Sequence, residues 1–159
     1  DNTVYHAHGG FVIGSEFSGG MKNIVVRNNT FQGTDAGLRF KSAVKRGGKS
    51  ENIYIDHIYM TDITGDAITF ETTYFDNHVG AKQQAAPVKQ EFLPDFQDIH
   101  ISNVYVRGCK NGIVAHGAEG MIHDITIKDC NIFYNKNAKD IDAACKITLE
   151  NVNFSTFAK

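Results

Sequence analysis

Tryptophan is absent from this sequence, leucine occurs three times and proline twice. No apolar stretch approaches the roughly 18–20 residues that a bilayer-spanning helix requires. Lysine and arginine never gather into a long block, and the net charge is −2 with a pI near 6.4. Neither a nucleic acid nor a membrane surface therefore finds an electrostatic partner here. Three cysteines, Cys109, Cys130 and Cys145, form an odd set at irregular spacing without C-x-x-C. Buried thiols, or at most one disulfide, are expected of them rather than a metal site. The opening Asp1-Asn2-Thr3-Val4-Tyr5-His6 has no basic stretch leading into an apolar one, so no secretory leader is visible in it. What is left is a globular composition: 159 residues, 42% hydrophobic, with 15 glycines, long enough for one domain with a sizeable core.

What is present is a repeat. With Ile24 as position zero, apolar residues fall at offsets zero, two and seven, usually with another at five. Later copies read Ile53, Ile55, Ile58, Met60; then Ile99, Ile101, Val104, Val106; then Ile125, Ile127, Cys130, Ile132; then Ile147, Leu149, Val152, Phe154. Asn23, Asn52, Asp98 and Asp124 precede four of the five copies. A separation of two keeps side chains on one face of a strand. The jump of three between offsets two and five demands a bend that keeps the apolar side chains inward. A third apolar strand follows in Gly37-Leu38-Arg39-Phe40, Ala67-Ile68-Thr69-Phe70 and Gly112-Ile113-Val114-Ala115.

Three short strands per repeat predict an all-β, right-handed parallel β-helix of about five coils, residues 1–159 forming a portion of one such domain. The first coil is truncated on its N-terminal side: Val4 stands for Phe31, and Phe11 and Ile13 stand for Leu38 and Phe40. These three residues are expected to be exposed at that end. One interval breaks the rhythm, with 46 residues separating Ile53 from Ile99. The surplus lies in Phe75 to Asp95, which holds both prolines and reads as a loop inserted between coils, 75–95. A leucine-rich horseshoe would need far more leucine. A β-sandwich would need hairpin turns, and the single Asn-Gly, Asn111-Gly112, instead recurs at the Gly37 position.

In the strand Gly37–Lys41, inward Leu38 and Phe40 force Arg39 and Lys41 outward, two cations side by side on one face. They are either surface cations, solvated or bridged to Glu71 one coil on, or a clamp for an anionic ligand, since an arginine fork matches a carboxylate. One coil earlier, His8-Gly9-Gly10-Phe11-Val12-Ile13-Gly14-Ser15 sets a histidine in a glycine-rich turn leading into the same sheet. A single histidine beside glycines is weak evidence, and His6 with His8 lacks a clear third metal ligand.

Together these segments resemble the polygalacturonases, glycoside hydrolase family 28. Ala7-His8-Gly9-Gly10-Phe11-Val12-Ile13-Gly14-Ser15 is similar to that family's G-H-G-x-S-x-G-S motif, and Gly37-Leu38-Arg39-Phe40-Lys41 to its G-x-R-I-K motif. Tyr74 falls where the family places a substrate-binding tyrosine. The resemblance runs from about Asn2 to Ser155, and the wording from His8 to Glu16 looks closest to bacterial exo-acting members. Ala7 and Phe40 are mild departures, and Gly10-Phe11-Val12 lacks the motif serine. The larger departure is that the N-T-D and D-D motifs, which carry the family's catalytic aspartates, are absent from these 159 residues.

The resemblance implies inverting hydrolysis of α-1,4-linked galacturonic acid in pectin, with no metal or other cofactor. It further implies that His8 lies beside the general acid, that Arg39 and Lys41 meet the galacturonate carboxylate, and that Tyr74 contacts the sugar. On this expectation the chain is the C-terminal portion of the domain, its partner the N-terminal part of the same β-helix, and its location secreted or periplasmic. It holds the substrate half of a site but not the acid–base half. The competing expectation is a non-catalytic module that binds acidic polysaccharide.

Overall fold

The computed structural model describes residues 1–73 and 93–157. Among these every regular element is a strand: β1 (Asn2–Tyr5), β2 (Phe11–Ile13), β3 (Met21–Gln32), β4 (Leu38–Lys41), β5 (Gly48–Glu71), β6 (Pro94–Phe96), β7 (Ile99–His116), β8 (Ile125–Ile141) and β9 (Ile147–Thr156). All the strand pairings are parallel, in the order β1-β3-β5-β7-β8-β9, with β2, β4 and β6 completing the coils beside them. The architecture is a right-handed parallel β-helix.

The apolar repeat becomes the core without a change of register. Ile24, Ile53, Ile99, Ile125 and Ile147 stack in one row. Val4, Phe31, Met60, Val106, Ile132 and Phe154 form a second row. Phe11, Leu38, Ile68 and Ile113 form a third, continued by Lys139. Most of these side chains in the central coils are fully buried.

The bends sit at residues with positive φ. Asn23 (62°), Asn52 (55°), Asp98 (50°) and Asp124 (51°) precede the opening isoleucines. Asn28, His57, Asn103, Asp129 and Asn151, at offset four, adopt φ between 51° and 56°. Asn and Asp enter this left-handed region more readily than other L-residues, because a short polar side chain can bond locally. Some also tie neighbouring coils: the Asn52 amide donates to Asn23 Oδ1 at 2.6 Å, and Asn151 to Asp129 Oδ1 at 2.8 Å.

Two expectations need amendment. Ile13 is only 2% exposed, whereas Val4 and Phe11 are half-buried at the first-coil end. The chain returns after Gly14 to bring Phe17 into the same core, where its ring lies 5.2 Å from that of Phe96. Of the expected loop 75–95, residues 75–92 lie outside the described residues. Pro94 and Asp95 belong to β6, paired with Gly48 and Lys49. Proline is tolerated as the first residue of a strand, and the segment is pinned by Phe96, which is fully buried.

Phe96 meets Phe40 and Phe70 edge-on, at 6.0 and 6.3 Å, while Phe40 and Phe70 stack at 4.5 Å beneath Arg39 and Lys41. Phe70→Ala is expected to cost about 3–5 kcal/mol in urea unfolding, since the rigid stack cannot collapse onto the void. Val25→Ala, at a side chain 66% exposed, is expected to stay within about 0.5 kcal/mol of the parent.

Candidate functional site

The face built from β2, β4 and the last strand segments of β5, β7 and β8 carries two outward rows. One runs Val12, Arg39, Thr69, Val114, Asp140. The other runs Lys41, Glu71, His116, and then Asp142, which follows the paired Ile141. Between them lie the buried Leu38, Phe40, Ile68, Phe70, Ile113 and Ala115. Strand alternation over a filled core thus fixes which side chains point outward, although Thr69 and Val114 are themselves buried.

His8 joins this face from the turn before β2. Its Nε2 lies 2.9 Å from Arg39 Nη1, and its Nδ1 lies 2.8 Å from Asp35 Oδ2. Asp35 also accepts from Thr64 Oγ1 at 3.3 Å. Arg39 Nη2 approaches Glu71 Oε2 at 3.9 Å, too long for a hydrogen bond. Arg39, its side chain 16% exposed, is therefore not a solvated cation, and the expected bridge to Glu71 is present as an ion pair without a hydrogen bond. The His8 hydrogen bond, with help from Thr64 and the nearby Arg39 charge, holds the Asp35 carboxyl below the usual range.

The glycines of the His8 turn are there for space. A Cβ on Gly10 would sit 2.3 Å from the Phe31 ring. One on Gly14, at φ 96°, would sit 1.8 Å from the Lys41 carbonyl oxygen. Backbone bonds then lock the turn: Gly10 N–H donates to Ala36 O, and Asp35 N–H to Ala7 O, both at 3.0 Å.

The structure thus brings His8, Arg39 and Lys41 to one face, and Tyr74 lies outside the described residues. His6 does not join them; it turns to Gly33 and packs edge-on to Tyr5. A cavity of about 470 Å³ lined by Val4, Phe11, Val26 and Phe31 opens at the first-coil end rather than over Arg39. The three cysteines are buried free thiols. Burial pushes Cys109 up to about 12 and Cys130 up to about 11, so neither is a nucleophile.

Two features were missed in the sequence. Asp35 is the hydrogen-bonding partner of His8. On the same face, His116 is bracketed by Asp140 at 3.4 Å and Asp142 at 3.2 Å. The His116 bond, together with the Gly117 N–H that donates to Asp142 at 3.1 Å, holds that carboxyl below its ordinary range. The face is accordingly cationic at Arg39 and Lys41 and carries carboxylates further along.

The sequence pattern of Glycosyl hydrolases family 28 matches residues 1–152. A Ralstonia nicotianae protein named Polygalacturonase is 28% identical over 153 residues, covering 90% of this chain and 26% of the relative. An Exo-poly-alpha-D-galacturonosidase of Dickeya chrysanthemi is 30% identical over 107 residues, covering 67% of this chain and 17% of the relative. The crystal structure of a hyperthermoactive exopolygalacturonase from Thermotoga maritima superposes with a TM-score of 0.78 at 32% identity, over 93% of this chain and 31% of that one. The chain thus spans less than a third of the length of these relatives. With the family pattern covering all but the last few residues, and the coils matching a solved relative, the chain belongs to glycosyl hydrolase family 28.

Proposed function

We propose that this chain is the uronate-binding part of a pectin-degrading glycoside hydrolase that cleaves α-1,4-linked galacturonic acid, exo-acting and with inversion. The observation that carries the reading is the contact across coils between His8 and Arg39, with Lys41 two residues on along the same strand. An arginine fork and an ammonium side by side suit a ligand carrying a carboxylate on each sugar unit. Tyr74, by its place in the motif, contacts the sugar ring. Exo action is supported by the names of the Dickeya and Thermotoga relatives.

Acid–base catalysis is assigned to carboxylates outside this chain. An inverting enzyme needs two carboxyl groups roughly 6.5–9.5 Å apart, one of them protonated at working pH. Asp35 fails that second requirement, because its hydrogen bond to His8 favours the ionised form. Glu71 sits beside Arg39, where a carboxylate answers a guanidinium rather than a glycosidic oxygen. His8 stands next to the general acid in the assembled site.

Calorimetric titration of this chain with trigalacturonate tests the reading. Binding is expected to weaken with added salt, and about tenfold or more when the uronates are methyl-esterified, since hydrogen bonds to charged groups are then lost. Equal affinity for the free acid and the ester would remove the anion clamp. A module that only binds acidic polysaccharide would pass this test, and the activity measurement in the Discussion separates it.

A further inference from the structure

We infer that Asp35 is a positioning residue: it fixes the tautomer of His8 and, through it, the orientation of the Arg39 guanidinium. The argument begins with what each group can do. A guanidinium has five N–H donors and no acceptor. The 2.9 Å contact between Arg39 Nη1 and His8 Nε2 is therefore a hydrogen bond only if Nε2 offers a lone pair. The ring proton must then be on Nδ1, which lies 2.8 Å from Asp35 Oδ2 and donates to it. The bond made by one ring nitrogen decides the state of the other. A carboxylate cannot donate, so an ionised Asp35 at Nδ1 selects the tautomer whose Nε2 receives Arg39.

Three coils cooperate in this relay. His8 comes from the first, Asp35 and Arg39 from the second, and Thr64, which donates to the other Asp35 oxygen, from the third. Backbone bonds hold the polar turns in place: Asp35 N–H to Ala7 O and Thr64 N–H to Thr34 O, each at 3.0 Å. A Cβ on Gly65 would come within 2.5 Å of the Asp35 carbonyl oxygen, so the third coil presses directly on the Asp35 backbone. The His8 and Asp35 side chains are themselves 68% and 61% exposed. A bond so open to water contributes little to stability. What it supplies is direction: one Nη of Arg39 is held toward the first coil, and the plane of the fork is set for a carboxylate arriving over the face.

The effect on uronate affinity rests on the proposed function, whereas the tautomer does not. Nitrogen-15 NMR of the His8 imidazole in this chain, at slightly alkaline pH, reads the tautomer directly. The parent is expected to show the proton on Nδ1. In Asp35→Asn the side-chain amide can donate to Nδ1, so the proton should move toward Nε2, where it opposes Arg39. Trigalacturonate affinity should fall about tenfold, as the loss of one oriented charge-assisted bond. Asp35→Glu should restore both signals, and thermal unfolding should stay at the parental midpoint in each variant. A parental ring protonated on Nε2 overturns the inference even if no variant folds. So does Asp35→Asn that keeps the parental tautomer, or that binds within twofold of the parent while Arg39→Gln does not. If the tautomer shifts as described but the parent binds no uronate, the positioning role stands and the proposed function falls.

Discussion

Arg39→Gln is expected to weaken binding of oligogalacturonides by about 10–100-fold, because each hydrogen bond to a charged partner contributes roughly 1.5–3 kcal/mol. Glutamine keeps much of the length and some hydrogen bonding but loses the charge and the planar fork. Lys41→Gln should cost less, about tenfold, since an ammonium on a flexible stem acts as a point charge. The double variant should also lose most of its salt dependence, because a Debye length of about 8–10 Å at ordinary ionic strength leaves few other cations in play. Lys128→Gln is the control. Lys128 lies in the row Arg27-Asp56-Ser102-Lys128-Glu150 on a different face, and its loss should leave affinity unchanged. Calorimetry at two salt concentrations measures all four. An Arg39→Gln chain that binds like its parent would place the ligand elsewhere on the helix.

This chain by itself is expected to release no reducing ends from polygalacturonate. General acid–base catalysis contributes about 10²–10⁴-fold, and loss of a positioned water costs more. A polypeptide supplying the remaining coils should restore hydrolysis when mixed with it. Half-buried Val4 and Phe11 at the first-coil end, and the outer edges of β1 and β2, which pair with no further strand among the described residues, offer the surface on which such a segment would stack. Activity from the chain alone that vanishes in Glu71→Gln or Asp35→Asn would move the catalytic carboxylates into these 159 residues. Binding without hydrolysis, even in the mixture, would favour a non-catalytic polysaccharide module.

Most of the scaffold was legible because it is periodic. The apolar offsets gave the rows, and the Asn or Asp before four of the five copies marked one set of corners. The second set, at offset four, could be inferred as a bend but not assigned, since Asn, His and Asp share no obvious pattern until their φ values are known. The last outward strand escaped for a different reason. Lys139 occupies the inward slot that Ile113 fills one coil earlier, and its ammonium lies 5.9 Å over the Phe154 ring. At an end coil the apolar pattern relaxes, so Asp140 and Asp142 gave no strand signal. Asp35 was within reach of arithmetic. Val4 pairs with Phe31 and Phe11 with Leu38, each 27 residues on, so position 8 lies over position 35. The reach of Arg39 back to His8, 31 residues apart, is a matter of side-chain length that register alone does not give.

The long interval between Ile53 and Ile99 has a wider consequence. Although 46 residues separate them, they pair directly, as do Leu38 with Ile68 and Ile68 with Ile113 on the neighbouring face. Scaffold and surface are therefore written in different parts of the sequence. Core positions keep time from coil to coil, while the stretches between strands can lengthen without disturbing the beat. Doubling such a stretch costs only about 0.6 kcal/mol of closure entropy. A lineage can thus redesign what surrounds Arg39 and Lys41 one connection at a time, leaving every strand above and below in place.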